Sequence, residues 1–283
     1  MKKITALATH IITDQNNIGF HPKDYSKFKF GSSNIGNRFG RKLFEKLIFN
    51  NDKDLKSYNK ICVFTSPYDF IPTATNTIFE TFFKNLSDHL TENVEVVKRK
   101  IRRNTTYTDD YGSLSKDQRM KLISNDSFDL DNNFIGDELL IFIDDIKITG
   151  SHEFVVKKTL KEKKINNDVI FLYHAILENK NIDPTFENFL NYSYVNGVKQ
   201  IIEIQNNKDF VLNTRFTKYI LQLNNSDFEL FADSLSQENL KVIIKSSFGN
   251  KYEKIPKYIA NFKKLIKLQN SFSDLIINRL KTN

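Results

Sequence analysis

The stretch that decides the fold runs Glu138-Leu139-Leu140-Ile141-Phe142-Ile143-Asp144-Asp145-Ile146-Lys147-Ile148-Thr149-Gly150-Ser151. Its apolar first half is typical of a buried strand, and the pattern of residues 151–163 predicts a helix directly behind it. Two adjacent carboxylates and a Thr-Gly-Ser turn therefore stand between a strand and a helix. Because ligands of open parallel sheets bind beyond the carboxyl ends of the strands, this segment is the first candidate for a binding site.

The chemistry of this segment suits a phosphorylated sugar. Backbone N–H groups of residues 148–151 can form an anion-binding nest, which the N-terminus of the following helix reinforces. Gly150 allows the main chain to approach a phosphate closely. Asp144 and Asp145 offer acceptors to vicinal ribose hydroxyls, directly or through Mg²⁺. The alternative interpretation is an acidic turn that caps a helix and binds nothing.

Strands and helices alternate outward from this segment in both directions. A helix is predicted from Asn34, another over residues 72–90, and strands over residues 4–13, 60–65, 94–97, 168–177 and 198–204. This alternation predicts an α/β fold with a parallel, doubly wound sheet. From about residue 207 the pattern is helical only. We therefore predict an α/β domain over residues 1–206 and a basic, all-helical C-terminal extension over residues 207–283.

The net charge of +8, from 42 Lys+Arg against 34 Asp+Glu, belongs to the C-terminal end of the chain. Residues 241–283 contain two acidic residues, Glu253 and Asp274, and ten basic ones. The basic residues are Lys241, Lys245, Lys251, Lys254, Lys257, Lys263, Lys264, Lys267, Arg279 and Lys281. The remainder of the chain is electrically balanced, which is not the pattern of a uniformly basic nucleic-acid binder.

A helical projection of residues 256–281 separates apolar from basic side chains. The apolar side carries Ile259, Phe262, Leu265, Ile266, Phe272, Ile276 and Leu280, and Tyr258 lies toward it. The other side carries Lys257, Lys263, Lys264, Lys267 and Lys281. We interpret the lysine side as a solvated face, and the apolar side as packed on the fold or on a partner subunit. Contact of the lysines with an anionic partner such as RNA is the alternative.

Composition and cysteine usage limit the class of protein. With 40% hydrophobic and 27% charged residues, the chain is unlike disordered or fibrous proteins. Its apolar runs are shorter than the roughly 20 residues that a membrane span needs, and residues 1–4 lead into no signal-peptide core. The single cysteine, Cys62, cannot form an internal disulfide and lies in an apolar strand. We therefore expect a cytoplasmic protein with Cys62 in its core.

The segment from Leu140 to Ser151 resembles the phosphoribosyl-diphosphate (PRPP) loop of type I phosphoribosyltransferases, in which four apolar residues, two acidic residues and a Thr-Gly-Thr/Ser turn follow in order. Three stretches, residues 25–31 (Tyr-Ser-Lys-Phe-Lys-Phe-Gly), 110–115 (Asp-Tyr-Gly-Ser-Leu-Ser) and 144–153, are similar to a ComF-like subgroup of that family. This subgroup occurs in bacterial stress and tellurium-resistance gene neighbourhoods. The resemblance covers roughly residues 20–205 and implies a type I phosphoribosyltransferase-like sheet.

The resemblance also implies functional residues. PRPP would be bound by Asp144, Asp145, Ile146, Lys147, Ile148, Thr149, Gly150 and Ser151, with Mg²⁺ held by Asp144 and Asp145 directly or through water. The diphosphate would be held by Ser66, Pro67 and Tyr68 together with Arg99 and Lys100. A mobile catalytic lid over residues 104–124, within the long polar stretch 104–136, would contribute Tyr107, Tyr111 and Lys116. For residues 66–69 a plain turn, and for residues 98–103 a solvated strand end, are the alternatives.

Two positions depart from the family pattern. Ile148 stands where many base-salvage members carry Asp or Thr, and an isoleucine cannot exchange a proton. A purine-salvage mechanism that uses this position is therefore disfavoured. His152 replaces the last Thr of the pattern. We expect it to be a surface residue, and contact with a phosphate is the alternative.

The function predicted from the sequence is transfer of phosphoribosyl from Mg·PRPP to an unidentified base-like acceptor, with release of diphosphate. The alternative is a regulatory protein of the same fold that senses PRPP or a nucleotide without turnover. A long lid favours catalysis over sensing. A third hypothesis is an interaction module whose helices only stabilise a dimer, and a homodimer is compatible with the other two as well.

Overall fold

Seven strands are present in the computed structural model of the chain, which describes residues 3–90, 94–103, 114–115, 117–118, 128–129 and 137–281. They are β1 (Ile4–Ile12), β2 (Lys60–Phe64), β3 (Glu95–Arg99), β4 (Arg102–Arg103), β5 (Phe128–Asp129), β6 (Leu139–Lys147) and β7 (Val169–Leu177). Five of them form a wholly parallel sheet in the order β1-β7-β6-β2-β3. The short strands β4 and β5 pair antiparallel outside this sheet.

The helices that accompany these strands are α1 (Pro22–Lys29), α2 (Ser33–Leu55), α3 (Thr75–His89), α4 (Ser151–Glu162), α5 (Phe186–Tyr192), α6 (Val198–Asn206), α7 (Thr214–Ile220), α8 (Asn225–Asp233), α9 (Gln237–Gly249) and α10 (Pro256–Lys281). The predicted parallel α/β fold and its C-terminal all-helical extension are confirmed. Among the described residues, no helix combines the length and the apolar character that crossing a membrane demands.

The strand predicted over residues 198–204 is wrong, because this segment forms helix α6. Its buried apolar side chains are Val198, Ile201 and Ile204, which recur every three residues and so line one helical face. A short apolar run rich in β-branched residues does not distinguish a strand from a buried helix. Here packing against the helical region decides the conformation.

Both faces of the central sheet are covered, which is why residues 139–143 of β6 and nearly all residues of β7 are buried and mostly apolar. On one face, Leu43 of α2 and Ile78 of α3 belong to the same core cluster as Ile141. On the other face, Val155 of α4 packs with Phe142 in a second cluster. Cys62 is a fully buried member of that second cluster, as expected.

A third core lies among the C-terminal helices and also includes Phe30 and Ile71 from earlier in the chain. Direct hydrogen bonds join the two regions. Asn250 Oδ1 accepts the backbone N–H groups of Phe70 and Ile71 at 3.1 and 2.9 Å, and Ser33 N–H donates to Asp209 O at 3.0 Å. The helical region is therefore packed directly on the α/β region.

The orientation of α10 follows its sequence pattern. Tyr258, Phe262 and Leu265 are buried, whereas Lys257 and Lys263 are exposed. The predicted division into an apolar and a lysine side is thus confirmed over residues 256–270. The same prediction for the side chains of residues 272, 276, 280 and 281 lies outside those described.

Candidate functional site

A cavity of about 200 Å³ lies where the order of the sheet changes direction. Strand β2 pairs with β3 on one side and with β6 on the other. After β2 the chain therefore adds a strand toward one edge of the sheet, and with β6 and β7 it adds strands toward the opposite edge. Such a switch point opens a crevice at the carboxyl ends of the strands. Ser66 and Pro67, which follow β2, line the cavity together with residues 144–153 from β6 and the turn behind it.

Strand β6 extends four residues beyond the apolar run and contains both aspartates. Asp144 is paired with Tyr173 and Ile146 with Ala175 on β7. Because successive side chains of a strand point to opposite faces, the two carboxylates diverge. Asp145 reaches residues of α1, whereas Asp144 reaches the first turn of α4.

Asp145 is buried and held by three donors. The Tyr25 hydroxyl and Lys29 Nζ both donate to Asp145 Oδ2 at 2.5 Å, and Thr75 Oγ1 lies 3.2 Å from Oδ1. Tyr25 and Lys29 are four residues apart on α1 and so share one helical face. Burial, with the carboxylates of Asp145 and Glu187 nearby, raises the pKa of Tyr25 well above its usual value. The phenol therefore stays protonated and serves as a donor.

Asp144 is held by a different set of donors. Its Oδ1 accepts from Ser66 Oγ at 2.7 Å and from the Asp145 N–H at 3.0 Å, and its Oδ2 lies 2.8 Å from His152 Nδ1. Burial by itself would raise the pKa of Asp144, but His152, Ser66 and Asp145 together keep the pKa below its usual value. The carboxylate is therefore charged at neutral pH.

His152 corrects a sequence-based expectation. It was expected to be a surface residue, but it is partly buried and contacts Asp144. Its position in the first turn of α4 directs its ring toward β6 rather than toward solvent. The sequence did not show this, since the contact depends on how α4 packs on the sheet.

The turn between β6 and α4 has the geometry expected of a phosphate-binding loop. Gly150 has φ +74°, in the left-handed region, and a Cβ there would lie 3.2 Å from Lys147 Cε. Thr149 Oγ1 and Ser151 Oγ lie 2.6 Å apart. All three turn residues and Ile148 line the cavity. The turn and the N-terminus of the twelve-residue helix α4 thus lie at the cavity, in an arrangement that could bind an anion.

A second buried carboxylate, Glu153, organises the far side of the turn. It accepts hydrogen bonds from Lys147 Nζ at 2.6 Å, from the Tyr173 hydroxyl at 3.0 Å and from Lys157. Burial would raise the pKa of Glu153, yet the two lysines lower it. Lys147 is therefore engaged by Glu153 and fixed beside Gly150.

Several residues of the cavity wall were not predicted from the sequence. Lys29, Thr75, Tyr173, Glu187 and Arg215 all line it. The four-residue spacing of Tyr25 and Lys29 could have indicated that both lie on one helical face. From the sequence, however, they were noted only as part of the segment 25–31 that carries the family resemblance. Arg215 lies on α7 in the helical region, and the residues around it in the sequence do not indicate that it lines the cavity.

The residues predicted to hold diphosphate divide into two groups. Ser66 and Pro67 line the cavity. Lys100 lies outside the lining, with Nζ 4.2 Å from the centre of the Tyr68 ring and 2.7 Å from Asp69 O. Arg99 lies beside Cys62, where burial raises the pKa of the thiol and Arg99 acts against that rise. The predicted lid residues Tyr107, Tyr111 and Lys116 lie outside the described part of the chain.

The donor set of the acid pair does not fit directly coordinated Mg²⁺. All four carboxylate oxygens of Asp144 and Asp145 already have a donor of the protein within 3.2 Å, and one of these donors is an ammonium group. Mg²⁺ requires a near-octahedral shell of oxygen ligands at about 2.0–2.1 Å. Within the described residues there is also no cluster of three or more His, Cys, Asp or Glu side chains suited to a metal ion.

Sheet order and cavity position define the class of the molecule: an open, doubly wound α/β protein with its candidate site at the switch point. Within that class, the chain belongs to the ComF-like phosphoribosyltransferase family, whose model, described as PRTase ComF-like, matches residues 2–265. The match extends well beyond the 20–205 range expected from the sequence. It includes α7 to α9 and the first part of α10, so most of the helical region lies within the matched family.

Solved phosphoribosyltransferase structures are also similar to this chain. A hypoxanthine phosphoribosyltransferase from Staphylococcus aureus is 12% identical with a TM-score of 0.32, and the alignment covers 50% of this chain and 74% of that one. An adenine phosphoribosyltransferase from Saccharomyces cerevisiae is 13% identical with a TM-score of 0.30, over 56% of this chain and 74% of that one. No curated protein matches the chain.

Proposed function

We propose that the chain binds PRPP in the switch-point cavity and transfers its phosphoribosyl group to an unidentified base-like acceptor, with release of diphosphate. The observation that carries this proposal is the left-handed Gly150 turn at the N-terminus of α4, which lies in the same cavity as the charged Asp144. Membership of the ComF-like phosphoribosyltransferase family supports it.

In this proposal, each part of PRPP would contact a different part of the cavity wall. The 5′-phosphate would accept hydrogen bonds from the turn Thr149–Ser151 and from the N-terminus of α4. The charged carboxylate of Asp144 would accept from the ribose hydroxyls. Ser66 and Pro67 lie on the side where the diphosphate would leave, and Arg215 adds positive charge to the wall. Arg99, Lys100 and the lid residues stay predictions.

The chemistry that we propose is largely electrostatic. The bond from ribose C1 to the diphosphate oxygen breaks, the diphosphate leaves with its electron pair, and a nitrogen of the acceptor forms the new bond to C1 and then loses its proton. Positive charge develops on the ribose in the transition state, where the fixed negative charge of Asp144 would stabilise it. Exclusion of bulk water from the cavity by the bound ligand would strengthen that interaction. Use of Mg²⁺ follows from the family resemblance, and we assign no residue as its direct ligand.

A sensing function is the second candidate, and Ile148 favours it. This side chain lines the cavity and packs against the main core cluster, so it presents an apolar surface where a proton acceptor could stand. A protein that binds PRPP without turnover needs no such acceptor. Contacts of the α10 lysines with nucleic acid, and assembly into a homodimer, would belong to this second function.

Thermal unfolding tests the binding site. Ligand at about 100 times its dissociation constant adds about 2.7 kcal/mol to the stability, so PRPP with Mg²⁺ should raise the melting temperature. The double variant Asp144→Asn, Asp145→Asn should lose this shift, whereas Asp88→Asn, an exposed carboxylate on α3, should keep it. Absence of a shift in the unmodified protein would contradict the PRPP site.

Diphosphate release separates the two candidate functions. The protein is incubated with PRPP and with a panel of bases or a cell extract as the source of acceptor. Release that depends on acceptor and is lost in the Asp144→Asn, Asp145→Asn variant supports transfer. A retained thermal shift without release from any acceptor supports sensing.

A further inference from the structure

We infer that the Lys29 ammonium is a built-in cation of this site. It occupies the position beside Asp145 that a divalent metal would take if it bridged the carboxylate and the ligand. The inference rests on the proposed function, because the ligand concerned is the phosphoribosyl group. It concerns the manner of binding: the acid pair would hold the ribose without a metal bound to its carboxylates.

The position of Lys29 carries this inference. Its side chain is 12% exposed, lines the cavity and places Nζ 2.5 Å from Asp145 Oδ2. The same oxygen accepts from the Tyr25 hydroxyl. An ammonium group has three N–H donors, and one of them is used by Asp145. Two remain that can reach oxygens of a ligand in the cavity.

The backbone around Lys29 fixes this arrangement. Lys29 is the last residue of α1, and the buried Tyr25 and Phe28 anchor that helix in the core. The Lys29 carbonyl accepts from Asn213 Nδ2 at 3.2 Å, and Asn213 caps the N-terminus of α7. The C-terminus of α1 is thus tied to the helical region. Its ammonium is held at the cavity rather than free to extend into solvent.

The charges of the site agree with a lysine in the role of counter-ion. A buried carboxylate requires a compensating charge, and Lys29 provides it for Asp145. His152 contacts Asp144, whose pKa is lowered. A divalent cation bound to Asp145 Oδ2 would lie beside the ammonium and be repelled by it. A cation is therefore already part of the protein at this position.

Ribose 5-phosphate is the probe that tests this inference, since it carries the ribose hydroxyls and the 5′-phosphate but no diphosphate to bring its own metal. Its dissociation constant is measured by calorimetry in EDTA and again with Mg²⁺. We expect the two values to agree for the unmodified protein. Lys29→Gln should weaken binding in EDTA by about tenfold, as expected for loss of a charged donor, and Mg²⁺ should restore part of the loss.

Two further variants control for folding and for charge in general. Lys29→Arg keeps the cation and should bind ribose 5-phosphate in EDTA better than Lys29→Gln does. Lys23→Gln removes an exposed lysine from the same helix and should leave binding unchanged. Mn²⁺ relaxation measurements should find a metal bound with the sugar phosphate in Lys29→Gln and not in the unmodified protein.

Two outcomes overturn the inference, and they are distinguishable from failure of the proposed function. Binding of ribose 5-phosphate to the unmodified protein only when Mg²⁺ is present would show that the carboxylates need a metal. Equal binding by Lys29→Gln and the unmodified protein in EDTA would show that Lys29 is not needed. If neither ribose 5-phosphate nor Mg·PRPP binds, the PRPP site itself is refuted.

Discussion

His152 Nδ1 lies 2.8 Å from Asp144 Oδ2, which joins the first turn of α4 to the end of β6 across the intervening turn. The chain between them contains Gly150 in the left-handed conformation. The contact therefore fixes the turn from both ends. It also sets the charge of the carboxylate that faces the cavity, because His152 contributes to the low pKa of Asp144.

Replacement of His152 should alter the dependence of stability on pH. The folded-state pKa of Asp144 is lowered, so its contribution to stability is present above the unfolded value of about 3.9 and is lost as pH falls through the folded value. His152→Ala should therefore destabilise the protein by about 1–2 kcal/mol at neutral pH and by less near pH 3. Urea unfolding from pH 7 to pH 3 measures the difference. A loss that is the same at every pH would contradict this role.

Replacement of Gly150 should affect both stability and ligand binding. A non-glycine residue at φ +74° costs about 1–2 kcal/mol, and the added Cβ would press on Lys147 Cε. Gly150→Ala should lower the free energy of unfolding by that amount and weaken phosphate binding. Gly197→Ala is the control, since Gly197 has extended backbone and an added Cβ would meet Gln200 at an ordinary 3.6 Å. Similar effects of the two changes would be inconsistent with a special role of the turn.

Removal of the Tyr25 hydroxyl should weaken PRPP binding. Tyr25→Phe removes one of the hydrogen-bond donors of the buried Asp145 carboxylate. This loss should lower the free energy of unfolding by about 1–3 kcal/mol. Tyr58→Phe is a matched control, because Tyr58 donates to Asp168 at 2.8 Å in a partly exposed pair away from the cavity. The dissociation constant of PRPP, measured by calorimetry, should rise for Tyr25→Phe and stay constant for Tyr58→Phe. A change of equal size in both would point to a general loss of stability.

Arg215 should contribute to ligand affinity from outside the sheet. Arg215→Gln removes a positive charge from the cavity wall and should weaken PRPP binding by about tenfold, since hydrogen bonds to charged groups are strong. Arg215→Lys should recover part of the affinity because it keeps the charge. Because Arg215 Cζ also lies 5.9 Å from the centre of the Tyr192 ring, the affinities are compared at a temperature where each variant without ligand is fully folded. Unchanged affinity of Arg215→Gln for PRPP would show that this residue of the helical region does not contribute to the binding site.

Local sequence patterns predicted most of the sheet and the central turn. The apolar run before Asp144 and the glycine at position 150 are properties of consecutive residues, so they are visible without knowledge of the tertiary fold. The end of the central strand was predicted less accurately. Strand β6 continues to Lys147, because β7 provides pairing partners for Asp144, Ile146 and Lys147. The strand predicted over residues 198–204 was wrong for the same reason, since the conformation of this segment depends on what it packs against.

Side chains that reach the cavity from distant elements could not be predicted in the same way. Lys29 and Asp145 are separated by 116 residues in the chain and meet only through the packing of α1 on the sheet. Arg215 depends on the position of α7, and His152 depends on the direction in which α4 leaves the turn. A single sequence contains no local signal for such contacts. Their discovery required the tertiary structure.

The bonds from Asn250 Oδ1 to the N–H groups of Phe70 and Ile71 limit how the chain can be shortened. A fragment that ended at residue 206 would leave these two amides, just downstream of Ser66, without their acceptor. It would also uncover the apolar side chains of Phe30 and Ile71 and delete Arg215 from the cavity wall. A fragment of this kind would be prone to aggregate. Any shortened or engineered version of the protein must therefore retain the helical region together with the sheet.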